Sequence, residues 1–224
     1  MKKNIELIKR IFLFFIGMSI IQVGVALFLK TNIGSDPFTS FTQGLAATLN
    51  KTKLRNISII ELITGSANIT QGVANMIILI ILFFIILIID RRKINIGTLI
   101  CVAGVGPIID FSFKIVSIFA IEDYSYLTKV ILIILGCFIV AVGFSLLSAS
   151  NLGVAPNDII PFIIKDKMKI EFRWARIMFD GCCLLLGVLF GGVIGIGTIV
   201  CMLFTGPFIQ MMLPFGKKVL EKVI

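Results

Sequence analysis

An uninterrupted run of fourteen apolar residues, 76–89, constrains this chain more than any other feature. The wider stretch 73–89 contains one polar side chain, Asn75. About 20 apolar residues in a helix span a hydrocarbon core of about 30 Å. Other predominantly apolar stretches lie at 11–29, 96–121, 130–150, 172–190 and 194–215. With 58% hydrophobic and 15% charged residues, the chain is predicted to be an all-α, polytopic membrane protein.

The chain is basic, with 21 lysines and arginines, 12 acidic residues and a net charge of +9. A basic excess can indicate nucleic-acid binding, but that function combines a basic stripe with a soluble fold. Here the basic clusters at 2–10, 91–93, 165–173 and 217–222 flank apolar segments, which is where membrane topology places positive charge. We therefore expect the lipid bilayer as the main partner, and no nucleic acid.

Side chains used in most catalytic and metal sites are scarce. The chain has no histidine, which removes the commonest general base and a common metal ligand. Its five cysteines all lie within apolar segments, as expected for small packing residues. We therefore expect no enzymatic activity, no cofactor and no metal site.

A short polar motif occurs twice along the chain. Residues 32–37 read NIGSDP, and residues 151–156 read NLGVAP, 119 positions later. Further positions match in the same order: Gly17 with Gly136 and Gly24 with Gly143 at an offset of 119, and Cys101 with Cys201 and Pro107 with Pro207 at an offset of 100. These matches predict an internal duplication, with a first repeat at 1–123 and a second at 124–224. The change of offset gives the first repeat 19 extra residues, most simply within 50–71.

The number of membrane crossings decides how the repeats are oriented. The segment after the second motif offers about 12 residues before Lys165, or roughly 18 Å of helix, which is too short to span. We therefore expect short broken or re-entrant helices at 36–49 and 156–165. Six crossing helices are expected, at 11–29, 72–89 and 96–121 in the first repeat and at 130–150, 172–190 and 194–215 in the second.

Three crossings per repeat would make the repeats inverted. We expect a cytoplasmic amino terminus, and six crossings then place the carboxyl terminus in the cytoplasm as well. The alternative is eight crossings with parallel repeats. The distribution of lysine and arginine satisfies the positive-inside rule in both arrangements. The short second motif segment and the tight basic turn at 90–93 favour six crossings.

Ionisable side chains within apolar segments are candidate functional residues, because a charge at the bilayer centre costs roughly 2.5–3.5 kcal/mol. Arg176 and Asp180 lie four residues apart and can share a helix face, as a gate, a substrate anchor or a structural ion pair. Pro37 and Pro156 suit the first turn of a helix, so two helix N-termini would face inward. Such ends can hold an anionic group, and the unwound carbonyls before them a cation or polar solute.

The candidate substrate-binding residues are therefore Gln22, Asn32, Asp36, Asp110, Asn151, Asn157 and Asp158. The alternative for the residues at the two motifs is plain helix capping by Asp36, Asn157 and Asp158.

The repeated Asn-x-Gly-x-x-Pro element, together with the repeated Gly-Thr…Gly-Pro pattern, resembles the YczE/YyaS/YitT family of bacterial integral membrane proteins. The resemblance covers nearly the whole chain. Members typically carry an aromatic and an acidic residue after the first proline. Here the acid precedes that proline, as Asp36, whereas Asp158 follows Pro156 by two positions. The resemblance implies a multi-pass protein of the bacterial plasma membrane, with permease or regulatory roles suggested for the family.

Duplication with paired broken helices predicts a permease for a small solute, with or without a coupling ion, whose site lies between the repeats. Two alternatives stay open: a regulatory or scaffolding membrane protein without transport, and a substrate-binding subunit that needs an energising partner. Assembly into a homo-oligomer is compatible with each of them. A membrane enzyme is the least favoured reading, because few polar groups are available to form an active site.

Overall fold

The computed structural model describes residues 2–51 and 69–223, and these ranges form eight α-helices and no strand. In chain order the helices are α1 (Lys2–Thr31), α2 (Pro37–Lys51), α3 (Gln71–Asp90), α4 (Ile96–Val116), α5 (Tyr126–Ala149), α6 (Pro156–Met168), α7 (Phe172–Leu189) and α8 (Ile196–Val223). Short 3-10 turns at Arg91–Lys93 and Ile121–Asp123 precede α4 and α5. The predicted all-α class is confirmed.

Five of the eight described helices, α1, α3, α4, α5 and α8, are long and apolar enough to cross a membrane. The helices α2 and α6, with 15 and 13 residues, are shorter than a span requires. The sixth predicted crossing helix, α7, has 18 residues but carries Arg173, Arg176 and Asp180, and it is not among the five. Its charged face distinguishes it from the other long helices.

Several helix bounds differ from the predicted ones. Helix α1 begins at Lys2 rather than at 11, and α8 continues to Val223 rather than ending at 215. Both extensions carry lysines and other good helix formers, which apolarity alone does not detect. Helix α4 ends at Val116 rather than at 121. Most of 50–71, where the prediction places the extra residues of the first repeat, lies outside the described residues.

The helices α1 and α5 cross through glycines. A Cβ on Gly17 would lie 2.7 Å from the carbonyl oxygen of Gly143, and a Cβ on Gly143 would lie 2.7 Å from that of Gly17. A Cβ on Gly24 would similarly lie 2.9 Å from the carbonyl oxygen of Gly136. Because the earlier glycine of α1 meets the later glycine of α5, the two helices run antiparallel. Small residues let helix backbones approach this closely in a membrane bundle.

The two polar motifs form matching turns that reach across the bundle. Asn32 and Asn151 adopt left-handed backbone conformations, with φ of 53° and 57°, and each is followed two residues later by a glycine with positive φ. The backbone N–H of Gly197, in α8, donates to the carbonyl oxygen of Ile33 at 3.0 Å. The N–H of Gly97, in α4, donates to that of Leu152 at 2.8 Å. Each motif therefore holds the start of the last helix in the other half.

The short helices also pack across the two halves. In α2, the ring of Phe38 stacks on Phe179 of α7 at 6.3 Å between centroids, and Ser40 Oγ donates to the Val193 carbonyl oxygen at 3.0 Å. In α6, Ile159 and Ile163 pack with Ile86 of α3. Because each short helix packs against a helix of the other half, the N-termini of α2 and α6 lie in the centre of the bundle.

Two ion pairs join connectors to helix ends. Lys30, at the end of α1, contacts Glu122 between α4 and α5 at 2.9 Å, and this contact lowers the pKa of the exposed Glu122 carboxyl. Lys93, between α3 and α4, pairs with Asp166 near the end of α6. The end of α1 therefore lies beside the α4–α5 connector, and the end of α6 beside the α3–α4 connector.

Candidate functional site

A cavity of about 60 Å³ lies at the centre of the bundle, with room for only a few water molecules. Much of its wall is apolar and comes from α1, α4 and α5. Its polar lining comes from helices of both halves: Gln22 on α1, Asp36 and Thr39 at the start of α2, Asn75 on α3, Asn157 and Asp158 at the start of α6, Arg176 on α7, and Thr205 on α8. The sequence prediction named five of these eight side chains as site residues.

Arg176 is held between two carboxylates. Its Nη1 atom donates to Asp158 Oδ1 at 2.7 Å, and its Nε atom donates to Asp180 Oδ2 at 3.3 Å. All three side chains are buried. The i,i+4 spacing on α7 brings Asp180 to Arg176, whereas Asp158 reaches it from the first turn of α6. The predicted pair is therefore part of a three-residue cluster.

Asp36 is the residue immediately before α2 and caps that helix. The backbone N–H of Thr39 donates to its Oδ2 atom at 3.1 Å, and the Thr39 hydroxyl donates to its Oδ1 atom at 2.5 Å. Asp36 therefore has the geometry of a helix cap, as the capping alternative predicts. Its side chain is also buried and lines the cavity. A carboxylate at a helix N-terminus is stabilised by the helix dipole.

Helix α6 presents its N-terminus to the same cavity. Pro156 occupies its first position, where the missing N–H is not required. Asn157 Nδ2 lies 3.4 Å from Asp158 Oδ1, on the oxygen that also accepts from Arg176. The two helix N-termini therefore converge on one site, each with a buried carboxylate.

Two buried side-chain oxygens in this region have no hydrogen-bond partner. One is Oδ1 of Asn75, which lines the cavity. The other is Oδ1 of Asp180, which makes no hydrogen bond but lies 3.1 Å from Arg176 Nε in the ion pair. A buried polar atom without a partner costs about 1–3 kcal/mol, so such atoms call for an explanation in a native structure.

Three predicted site residues, Asn32, Asn151 and Asp110, lie away from the central cavity, so the structure does not bring them together with the others. Asn32 and Asn151 are exposed and occupy the left-handed turns before α2 and α6, a conformation that asparagine tolerates better than most residues. Asp110 accepts from Thr70 Oγ1 at 2.7 Å and from the backbone N–H of Gly72 at 3.0 Å. Asp110 therefore caps the start of α3.

Three of the eight polar cavity residues, Asn75, Thr39 and Thr205, were not among the predicted site residues. Asn75 stood out in the sequence only as the single polar side chain within 73–89. The other two are threonines. Both are common polar residues in apolar helices, where a hydroxyl can bond to the helix backbone. The internal sequence matches could have pointed to both threonines. Thr39 corresponds to Asp158 at an offset of 119, and Thr205 corresponds to Val105 at an offset of 100. Val105 also lines the cavity.

Comparison with known proteins finds relatives along nearly the whole chain. Residues 8–214 match the family described as "Family of unknown function (DUF6198)". The chain is 25% identical to the uncharacterised protein YyaS of Bacillus subtilis over 205 residues, which are 91% of this chain and 92% of YyaS. It is 24% identical to the uncharacterised membrane protein YczE of the same organism over 220 residues, or 98% of this chain and 92% of YczE.

An uncharacterised protein of Haemophilus influenzae is 22% identical over 205 residues, covering 92% of this chain and 84% of that protein. No solved structure gives a significant match. The resemblance to YczE and YyaS is thus confirmed, and the apolar helices together with the YczE relative identify a membrane protein.

Proposed function

We propose that this chain, which belongs to the DUF6198 family of unknown function, is a membrane permease for a small polar solute. The observation that carries the proposal is the buried charged cavity, to which Asp36, Asp158 and Arg176 contribute from three helices. Ionisable groups within a membrane bundle are costly and are usually functional. The proposal assigns no chemical reaction to the cavity.

Internal duplication is part of this proposal. It is supported by the reciprocal glycine contacts between α1 and α5, by the matching turns, and by the exchanged hydrogen bonds to Gly97 and Gly197. Antiparallel packing of α1 against α5 supports inverted repeats at 1–123 and 124–224. In transporters built this way, the site lies near the midplane between the repeats, where broken helices end.

Six crossings fit the contacts better than eight. In the eight-crossing arrangement, Lys30 and Glu122 would lie on opposite sides of the membrane, as would Lys93 and Asp166, yet each pair is in contact. The sixth crossing helix would be α7, whose 18 residues make about 27 Å of helix. Its Arg176 and Asp180 are buried, which keeps both charges away from lipid. We place the protein in the bacterial plasma membrane with both termini cytoplasmic.

The cavity is too small for most metabolites, so transport requires it to open. The contacts that join the halves, from the turn at Ile33 to α8 and from the turn at Leu152 to α4, are the ones that would have to shift. Rocking of one half against the other would expose the cavity to each side in turn.

The test begins with thermal unfolding of the purified protein against small amino acids, sugars, nucleosides and carboxylates, since a ligand of the native state raises Tm. Uptake of any radiolabelled solute that stabilises the protein is then measured in proteoliposomes. We expect Asp158→Asn to reduce uptake at least 10-fold. The matched change Asp123→Asn, at an exposed connector residue, should leave uptake unaltered.

Solutes that stabilise the protein without crossing the liposome membrane would contradict the permease and favour a binding subunit. Equal uptake by wild type and Asp158→Asn would remove this carboxylate from the mechanism.

A further inference from the structure

The charges around the central cavity do not balance. The three buried carboxylates of Asp36, Asp158 and Asp180 face a single guanidinium, that of Arg176. The N-termini of α2 and α6 each contribute about half a positive elementary charge beside Asp36 and Asp158. After the guanidinium and both helix ends are counted, about one negative charge is left without compensation.

The guanidinium of Arg176 is already paired with two carboxylates. Its Nη1 and Nε atoms are occupied by Asp158 and Asp180, one on each side. An anionic ligand would add to the excess negative charge. The cluster therefore favours a cation as its missing component.

An independent observation points to the same conclusion. Asn75 Oδ1 is an acceptor without a partner, on a side chain that is only 5% exposed and lines this cavity from α3. Amide and carboxylate oxygens are the donor types that hard cations prefer, and this cavity is lined by both. The nearby hydroxyl of Thr39 donates its proton to Asp36, which leaves its lone pairs free to bind a cation.

The geometry disfavours a divalent ion. Among residues 2–51 and 69–223, no three histidine, cysteine or acidic side chains are close enough to hold one metal ion together. Calcium takes six to eight oxygen ligands, and magnesium requires a near-ideal octahedron. The cavity instead matches one alkali cation with a water molecule. It has one unbalanced negative charge, a volume of about 60 Å³ and a mixed set of neutral and charged oxygens.

We propose that the central cavity binds one monovalent alkali cation, held by Asn75 and by the carboxylates of Asp36 and Asp158. This inference rests on the proposed function in one respect, because it names the coupling ion of the permease. Binding itself does not require transport and can be measured without it.

The test is thermal unfolding of the full-length protein in detergent. NaCl and KCl are each titrated against N-methyl-D-glucamine chloride at constant ionic strength, at pH 7.5 and at pH 5.5. At least one alkali cation should raise Tm saturably, by about 2–4 °C once its concentration is several-fold above Kd. The large organic cation should give no such rise because it cannot enter the cavity.

Asn75→Leu replaces the unpartnered amide by an apolar side chain of similar size. We expect this variant to lose the cation-dependent rise in Tm or to need at least 10-fold more cation for it. The control is Gln210→Leu, which removes an amide from an exposed position on α8 and should keep the wild-type response.

Three results would overturn the proposal: identical Tm in all three salts at both pH values, an unchanged cation response in Asn75→Leu, or stabilisation by acid alone. Stabilisation by acid alone would mean that a proton, and not an alkali cation, neutralises the excess carboxylate. The wild-type titration needs no variant, so a failure of Asn75→Leu to fold does not remove the test. Cation binding without solute uptake would reject the permease and keep this site.

Discussion

Arg176 is the residue on which the central cluster depends. It is buried at 6% exposure and contacts Asp158 and Asp180, at N–O distances of 2.7 and 3.1 Å. Removing one member of a buried ion cluster leaves uncompensated charge, which is more costly than losing the whole cluster.

Arg176→Met should therefore destabilise the protein by about 3–5 kcal/mol, because two carboxylates lose their partner in a low-dielectric environment. The measurement is thermal unfolding in detergent, compared with wild type. The combined variant Arg176→Met, Asp158→Asn, Asp180→Asn should recover most of the loss, since the two carboxylates that Arg176 contacts are then neutral. A single variant as stable as wild type would show that the guanidinium is not required for these charges.

Sequence reasoning reached only part of this cluster. The i,i+4 spacing made the contact between Arg176 and Asp180 foreseeable. Asp158 lies on another helix, so its approach to Arg176 depends on how α6 packs beside α7. For Asn32 and Asn151, the sequence shows the repeated motif but not the left-handed turn that each asparagine forms.

At the scale of elements, the crossing of α1 and α5 is fixed by backbone contact. Gly17 and Gly143 meet at distances that leave no room for a Cβ atom, and the nearest atoms belong to backbone that cannot rotate away. The crossing helices position the cavity, because Gln22 of α1 lies between the two glycine contacts on that helix.

Gly17→Ala should destabilise the protein by about 1–3 kcal/mol, as overpacking does, because α1 and α5 must move apart. Thermal unfolding of the purified variant measures the loss. The matched control is Gly181→Ala in α7, where no atom lies within 4 Å of the new Cβ and alanine is the better helix former. A lower Tm in the control than in Gly17→Ala would contradict the assignment of the crossing.

The sequence predicts membrane-crossing helices well where a segment is long and uniformly apolar. It predicts them less well where a segment is short or carries charged residues. The long apolar stretches became α1, α3, α4, α5 and α8. Helix α7 is ambiguous because its charged residues resemble those of an interfacial helix. Only the burial of Arg176 and Asp180 in the fold shows that these two face inward.

At the scale of the whole molecule, the six-crossing topology makes a direct prediction. Arg92, in the α3–α4 connector, should lie in the cytoplasm, and Tyr124, in the α4–α5 connector, outside; both are exposed. In spheroplasts, a membrane-impermeant maleimide should label Tyr124→Cys at once and Arg92→Cys only after permeabilisation. The unmodified chain measures labelling of the native cysteines. The reverse pattern would contradict this topology; it is the pattern expected for eight crossings with a cytoplasmic amino terminus.

The central claim is that the charged cavity serves a solute and does not merely hold the bundle together. Its most direct test is the variant that combines Asp36→Asn, Asp158→Asn, Asp180→Asn and Arg176→Met. Because this variant leaves no buried charge in the cluster unpaired, we predict a folded protein close to wild type in stability. In proteoliposomes, uptake of the solute that stabilises the wild type should fall to the level of empty liposomes. A folded variant that transports at the wild-type rate would contradict the account.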